Sequence, residues 1–213
     1  MTTYAKSIAI PPTMQEPFID APCKIITDFT YSMDPIIDMV RRNISVAVAE
    51  CAAGKVNLMP AFLAVRDIPD NGREHGLRDD GFMSLDEFKD KLATEPIIGN
   101  SSDPESQLDA ILAAIRGPWP NMKARHPKNI VLTTNSEPHR KTQDGLDVKE
   151  VLTLAIKNGC FIHIIGPEDA EYLMLCRETG GMFFDIIKHN DAESYKRIFA
   201  KLGKTITQTA RNF

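Results

Sequence analysis

The 213-residue sequence has few cysteines: Cys23, Cys51, Cys160 and Cys176 lie far apart, with no C-x-x-C pair among them. That spacing excludes a disulfide scaffold or a zinc ribbon and leaves buried, reduced thiols in a cytoplasmic protein as the expectation. Long apolar runs are also missing, and none approaches the roughly 20 residues of a membrane-spanning helix. No apolar h-region follows Met1, so no secretory leader is expected. Basic residues are in the minority: 25 Lys plus Arg against 29 Asp plus Glu give a net charge of −4. No global basic field draws the chain to nucleic acid or to anionic lipid. Neither G-x-x-x-x-G-K-[ST] nor G-x-G-x-x-G occurs, which removes phosphate-cradling loops, and no G-x-S-x-G supplies a hydrolase elbow. The five histidines show no H-x-x-x-H spacing, and His163, inside an apolar stretch, reads as a hydrogen-bonded core residue.

What is present is ordinary globular material, 43% apolar and 25% charged, enough for one domain with a sizeable core. Residues 1–23 carry Pro11, Pro12, Pro17 and Pro22 with little periodicity and read as an N-terminal extended arm; residues 24–213 read as the domain. A β-branched run over 24–30 predicts the first strand. Ile36, Ile37, Val40, Ile44, Ala47, Val48 and Cys51 then share one face of a helix over 33–53. A second strand is expected over 58–67, a polar loop over 70–81 and a short edge strand at Phe82-Met83. Ser84, with Glu87 three residues on, predicts a capping box for a helix over 85–93. Leu108, Ile111, Leu112 and Ile115 mark another helix. Strands over 129–134, 161–165 and 182–187 then alternate with helices over 148–157, 170–178 and 192–207. Strands alternating with helices predict an α/β fold, a doubly wound, mostly parallel six-stranded sheet with one antiparallel edge strand and helices on both faces. Ligands of such sheets sit at the strand C-termini.

The first strand ends in Asp28-Phe29-Thr30-Tyr31-Ser32. If the segment stays extended, alternate residues point the same way, so Asp28, Thr30 and Ser32 direct a carboxylate and two hydroxyls to one point. Hard oxygen donors of this kind suit a small divalent cation such as Mg²⁺. The bland alternative is that Ser32 caps the helix and Thr30 satisfies the turn. Ser102 and Asp103, in a polar loop opening a helix, and Thr134-Asn135 at the end of a strand are candidates for the same edge.

Taken together these segments resemble the von Willebrand factor type A, or integrin I-like, domains. IITDFTYSM is similar to that family's first strand with its D-x-S-x-S motif. GNSSDPESQLDAILAAI is similar to its G-G-T-[DN] loop and helix, NIVLTTNSEPH to the strand ending in Asp-Gly, and CFIHIIGPEDAEYLMLCRETGGMFFDI to its last strands. The resemblance runs from about Lys24 to Thr207. It implies a metal-ion-dependent adhesion site of Asp28, Thr30, Ser32, Ser102, Asp103 and Asn135 holding Mg²⁺, which a carboxylate of a protein partner completes. Asn135 stands where the family has its second Asp, which implies a weakened site, partly compensated by Asp103.

The expected function is therefore non-catalytic protein binding, with a partner presenting an acidic residue, and with neither nucleic acid nor membrane as partner. Stand-alone bacterial members of the family, which often act beside ATPases, kinases or stress-response modules, make a bacterial cytoplasmic setting the expectation. Two alternatives stay open. One is a scaffold with a vestigial metal site. The other is a haloacid-dehalogenase-like, Mg²⁺-dependent phosphatase with Asp28 as nucleophile, Thr30, Thr133 or Thr134, Lys157 and the pair Glu168-Asp169; it requires Lys157 to reach Asp28. His139-Arg140-Lys141 is a small basic run that could meet an acidic partner.

Overall fold

The computed structural model describes residues 17–68, 76–99, 103–122, 126–186, 188 and 191–213. Six strands form one sheet in the order β3-β2-β1-β4-β5-β6. They are β1 (Ile19–Asp28), β2 (Val56–Val65), β3 (Leu77–Phe82), β4 (Lys128–Thr133), β5 (Cys160–Gly166) and β6 (Phe183–Asp185). All neighbours pair in parallel except β2 and β3, so the antiparallel strand stands at the edge as expected. Among the described residues the helices are α1 (Asp34–Ala53), α2 (Leu85–Thr94), α3 (Gln107–Arg116), α4 (Val148–Lys157), α5 (Ala170–Thr179) and α6 (Ala192–Asn212). None of them is long and apolar enough to cross a membrane.

The two faces of the sheet carry separate apolar layers. One packs Ile25, Phe62, Ala64 and Val131 against α1, α2 and α6; the other packs Ile26, Leu63, Ile130, Leu132 and Ile164 against α3, α4 and α5. Neighbouring residues such as Ile25 and Ile26 fall in opposite layers because successive strand side chains point to opposite faces. Gly203 permits the close crossing of α6 over α1: a Cβ there would stand 2.5 Å from the Ala47 carbonyl oxygen. Gly180 closes α5 at φ +75°, the left-handed cap conformation that glycine adopts without a Cβ clash.

Several boundaries differ from the sequence reading. The arm expected over 1–23 gives way to strand at Ile19; residues 1–16 lie outside the described residues. Pro22 is tolerated inside β1 because β4 pairs only from Cys23 onward, leaving that side of residues 19–22 without a ladder partner strand. The edge strand is not Phe82-Met83 but Leu77–Phe82, taking the end of the expected polar loop. Its exposed Asp79 and Asp80 suit an edge, where charge discourages pairing with another chain. The last helix continues to Asn212 because Ile206 and Ala210 extend its buried stripe.

Candidate functional site

At Asp28 the chain stops being extended. The Asp28 carboxylate accepts the Thr30 backbone N–H at 2.9 Å and the Thr30 hydroxyl at 2.8 Å, both on Oδ1. This side-chain turn leads into a single 3₁₀ turn over Tyr31–Met33 and then into α1. The convergence of Asp28, Thr30 and Ser32 is thus real, but a turn produces it and not the alternation of an extended strand. Neither Thr30 nor Ser32 provides a side-chain helix cap. Ser32 instead donates to Asn135 Oδ1 at 3.0 Å, and Asn135 Nδ2 donates back to the Ser32 carbonyl at 3.1 Å.

The parallel register brings β4 to the same place. Thr27 pairs with Thr133, so Thr134 arrives beside Asp28. Its hydroxyl donates to Asp28 Oδ2 at 2.8 Å, and Gln107 Nε2 donates to the same oxygen at 3.3 Å. Asp28 is fully buried and its two oxygens receive four donors, which fills the lone-pair capacity of a carboxylate. Thr30 Oγ1 and Ser32 Oγ lie 3.1 Å apart. Each hydroxyl has one hydrogen, committed outward to Asp28 and to Asn135 respectively. With those hydrogens committed, each oxygen keeps lone pairs, and the two stand as neighbouring hard acceptors. That arrangement fits a divalent cation of the Mg²⁺ type.

Of the remaining expected residues, Ser102 lies outside the described residues. Asp103 is exposed and its Oδ1 accepts the Glu137 backbone N–H at 2.9 Å, which ties the loop before α3 to the loop after β4. The same two loops are laced by Glu105 N–H to the Glu137 carbonyl and by His139 N–H to the Glu105 carbonyl. The basic run is engaged within the chain: His139 Nε2 lies 3.1 Å from Asp67, and Arg140 pairs with Glu171 at 3.1 Å. Lys157 does not reach Asp28; it lines a cleft with Pro22, Trp119 and Lys128 at the opposite edge of the sheet. Asp169 caps α5 through the Glu171 and Tyr172 backbone N–H groups, and Glu168 pairs with Lys188 at 2.6 Å.

Two residues that sequence reasoning passed over complete the floor. Glu105 and Gln107 are buried, 1% and 0% exposed, and Gln107 Nε2 donates to Glu105 Oε2 at 2.8 Å and to Thr134 Oγ1 at 3.0 Å. Burial, and next the Asp28 charge, push the Glu105 carboxyl up to about 9. The only sequence signal was an acidic residue entering a helix, which is also what an ordinary helix start looks like.

No protein-family model matches the sequence, and no curated protein matches it. Solved structures do match in fold. The pilus adhesin SpaC from Lactobacillus rhamnosus GG superposes with a TM-score of 0.64 at 9% identity over 92% of this chain; the chain spans only 32% of that protein. The conserved hypothetical protein BatB from Bacteroides thetaiotaomicron gives 0.64 at 15% identity, covering 90% of this chain and 99% of its own. An aerotolerance-related membrane protein from Bacteroides fragilis NCTC 9343 gives 0.58 at 15% identity, covering 91% and 100%. At these identities the likeness is one of fold. The sheet order, the antiparallel edge and the helices on both faces make this a von Willebrand factor A-like fold, with its oxygen-lined cluster at the strand C-terminal edge.

Proposed function

We propose that this chain is a non-catalytic protein-binding domain that captures an acidic residue of a partner protein at the Asp28 edge, bridged by Mg²⁺. The observation that carries the reading is the pair of hydroxyl oxygens, Thr30 Oγ1 and Ser32 Oγ, 3.1 Å apart and gathered at the buried Asp28 carboxylate. Thr30 and Ser32 would hold the cation over Asp28, with Ser102 as the sequence's candidate for a third hydroxyl. A divalent ion held this way supplies positive charge to an incoming carboxylate. The pilus adhesin neighbour of the same fold is consistent with a binding role. The phosphatase alternative loses its lysine, since Lys157 lines a cleft at the far edge and does not reach Asp28. Four buried free thiols favour a reducing compartment, and we place the domain in the cytoplasm.

Calorimetric titration with Mg²⁺ tests the site. Binding is expected to be weak, lost in Asp28→Ala and Ser32→Ala, and tightened in Asn135→Asp by the restored charge. Partner capture should follow the same order and be reversed by EDTA. Mg²⁺-dependent hydrolysis of a phosphomonoester, abolished by Asp28→Asn, would overturn the binding reading in favour of the phosphatase.

A further inference from the structure

We infer that Glu105 is the second carboxylate of the cation site, supplying the negative charge that Asn135 lacks. The inference rests on the metal-bridged reading above. Asn135 is committed to Ser32 through two hydrogen bonds, so its role is to aim that hydroxyl, and it brings no charge. Glu105 stands beside Asp28 and Thr30. Its carboxyl is buried, and Oε1 has no hydrogen-bond partner. Oε2 shares one donor, Gln107 Nε2, with Asp28 Oδ2 and Thr134 Oγ1, at 2.8, 3.3 and 3.0 Å. One amide nitrogen thus gathers both carboxyl groups at the floor of the cluster. Gln107 Oε1 is likewise buried and without a partner.

Two buried oxygens without partners, beside a second carboxylate, are costly to keep, because buried polar atoms are otherwise satisfied. A divalent cation offsets that cost. It draws on hard oxygens, and its charge is the largest in such a site, outweighing the repulsion between the carboxylates. Burial and the Asp28 charge keep the Glu105 carboxyl protonated without an ion; the cation displaces that proton, and Glu105 then adds its charge whether it meets the ion directly or through water. Groups that act through a metal's outer shell carry much of its affinity.

The test uses Mn²⁺ as the probe, with affinity read by calorimetry on the full chain. Glu105→Gln keeps the shape and removes the charge; Glu105→Ala gives a second variant with different packing. Circular dichroism in EDTA checks that each is folded, and the Mn²⁺-induced rise in melting temperature gives a second readout. Both variants are expected to bind Mn²⁺ about tenfold or more weakly. Adding Asn135→Asp to Glu105→Gln should recover affinity. Unchanged affinity in a folded Glu105→Gln, with binding still lost in Asp28→Ala, would overturn the role of Glu105 and leave the metal-bridged reading standing. Absence of Mn²⁺ binding by the unaltered chain at millimolar concentration would overturn both.

Discussion

Replacing Glu95 by glutamine should destabilise the fold far more than neutralising its neighbour Asp80. Glu95 Oε1 takes Arg66 Nη2 at 2.6 Å and Oε2 takes Arg78 Nη2 at 2.9 Å. Arg66 and Glu95 are 4% and 3% exposed, whereas Arg78 is 39% exposed. Arg66 also donates to the Pro96 carbonyl at 2.6 Å and lies over the Phe29 ring at 5.8 Å. An amide at 95 keeps one acceptor for two guanidinium groups and turns an N–H toward the other. The buried Arg66 guanidinium then loses the Glu95 charge. Removing one partner of a buried pair costs about 3–5 kcal/mol. The retained Pro96 bond argues for the lower end, about 3 kcal/mol. For a chain of this size that corresponds to a fall in melting temperature of roughly 6–12 °C. Asp80, paired with Arg78 and Lys91 and 21% exposed, should cost less than about 1 kcal/mol as Asp80→Asn. Urea unfolding at constant m-value measures both. The reasoning fails if the two midpoints shift equally, or if molar salt erases the Glu95→Gln effect, as it would for an exposed pair.

Three further outcomes follow from named contacts. Tyr172→Phe removes the buried hydroxyl that donates to the Ser136 carbonyl at 2.9 Å; the loss should be about 1–3 kcal/mol, with weaker Mg²⁺ binding because that loop carries Asn135. Denaturant melts and calorimetry check the two effects. Gly203→Ala forces a methyl against Ala47 at the α1–α6 crossing and should cost about 1–3 kcal/mol in the same melts. Burial holds the His163 imidazole down at about 4, neutral in the fold, with Nδ1 accepting the Met182 N–H at 3.2 Å. Its folded value is below its unfolded one, so the contribution is full above the unfolded pKa and declines as pH falls toward the folded value. Stability should therefore drop by on the order of 3 kcal/mol between about pH 6.5 and pH 4 from this group. His163→Gln should flatten that part of the pH–stability curve, and an unaltered slope would count against the assignment.

The sequence determined the elements whose causes are local. The α1 stripe from Ile37 to Cys51 and the Ser84–Glu87 capping box depend on residues a few positions apart, and periodicity and capping chemistry find them. The alternation of strands and helices was equally legible, and with it the parallel sheet and the edge to which Asp28 and Thr134 come. The turn that gathers Asp28, Thr30 and Ser32 was legible in membership, though not in geometry. Tertiary structure alone decided what depends on register between distant strands. It extended β1 back through Pro22, because β4 pairs only from Cys23 onward and leaves the proline's missing N–H without a ladder partner. It made Ser32 a donor to Asn135, 103 positions away, and not the helix cap of the bland alternative. It also set Glu105 and Gln107 under Asp28, 77 and 79 positions earlier in the chain, where Glu105 changes from a helix-start acid to a buried carboxyl group. Burial gives a side chain its chemistry by removing water, and which residues lose their water is settled only when the strands and helices pack.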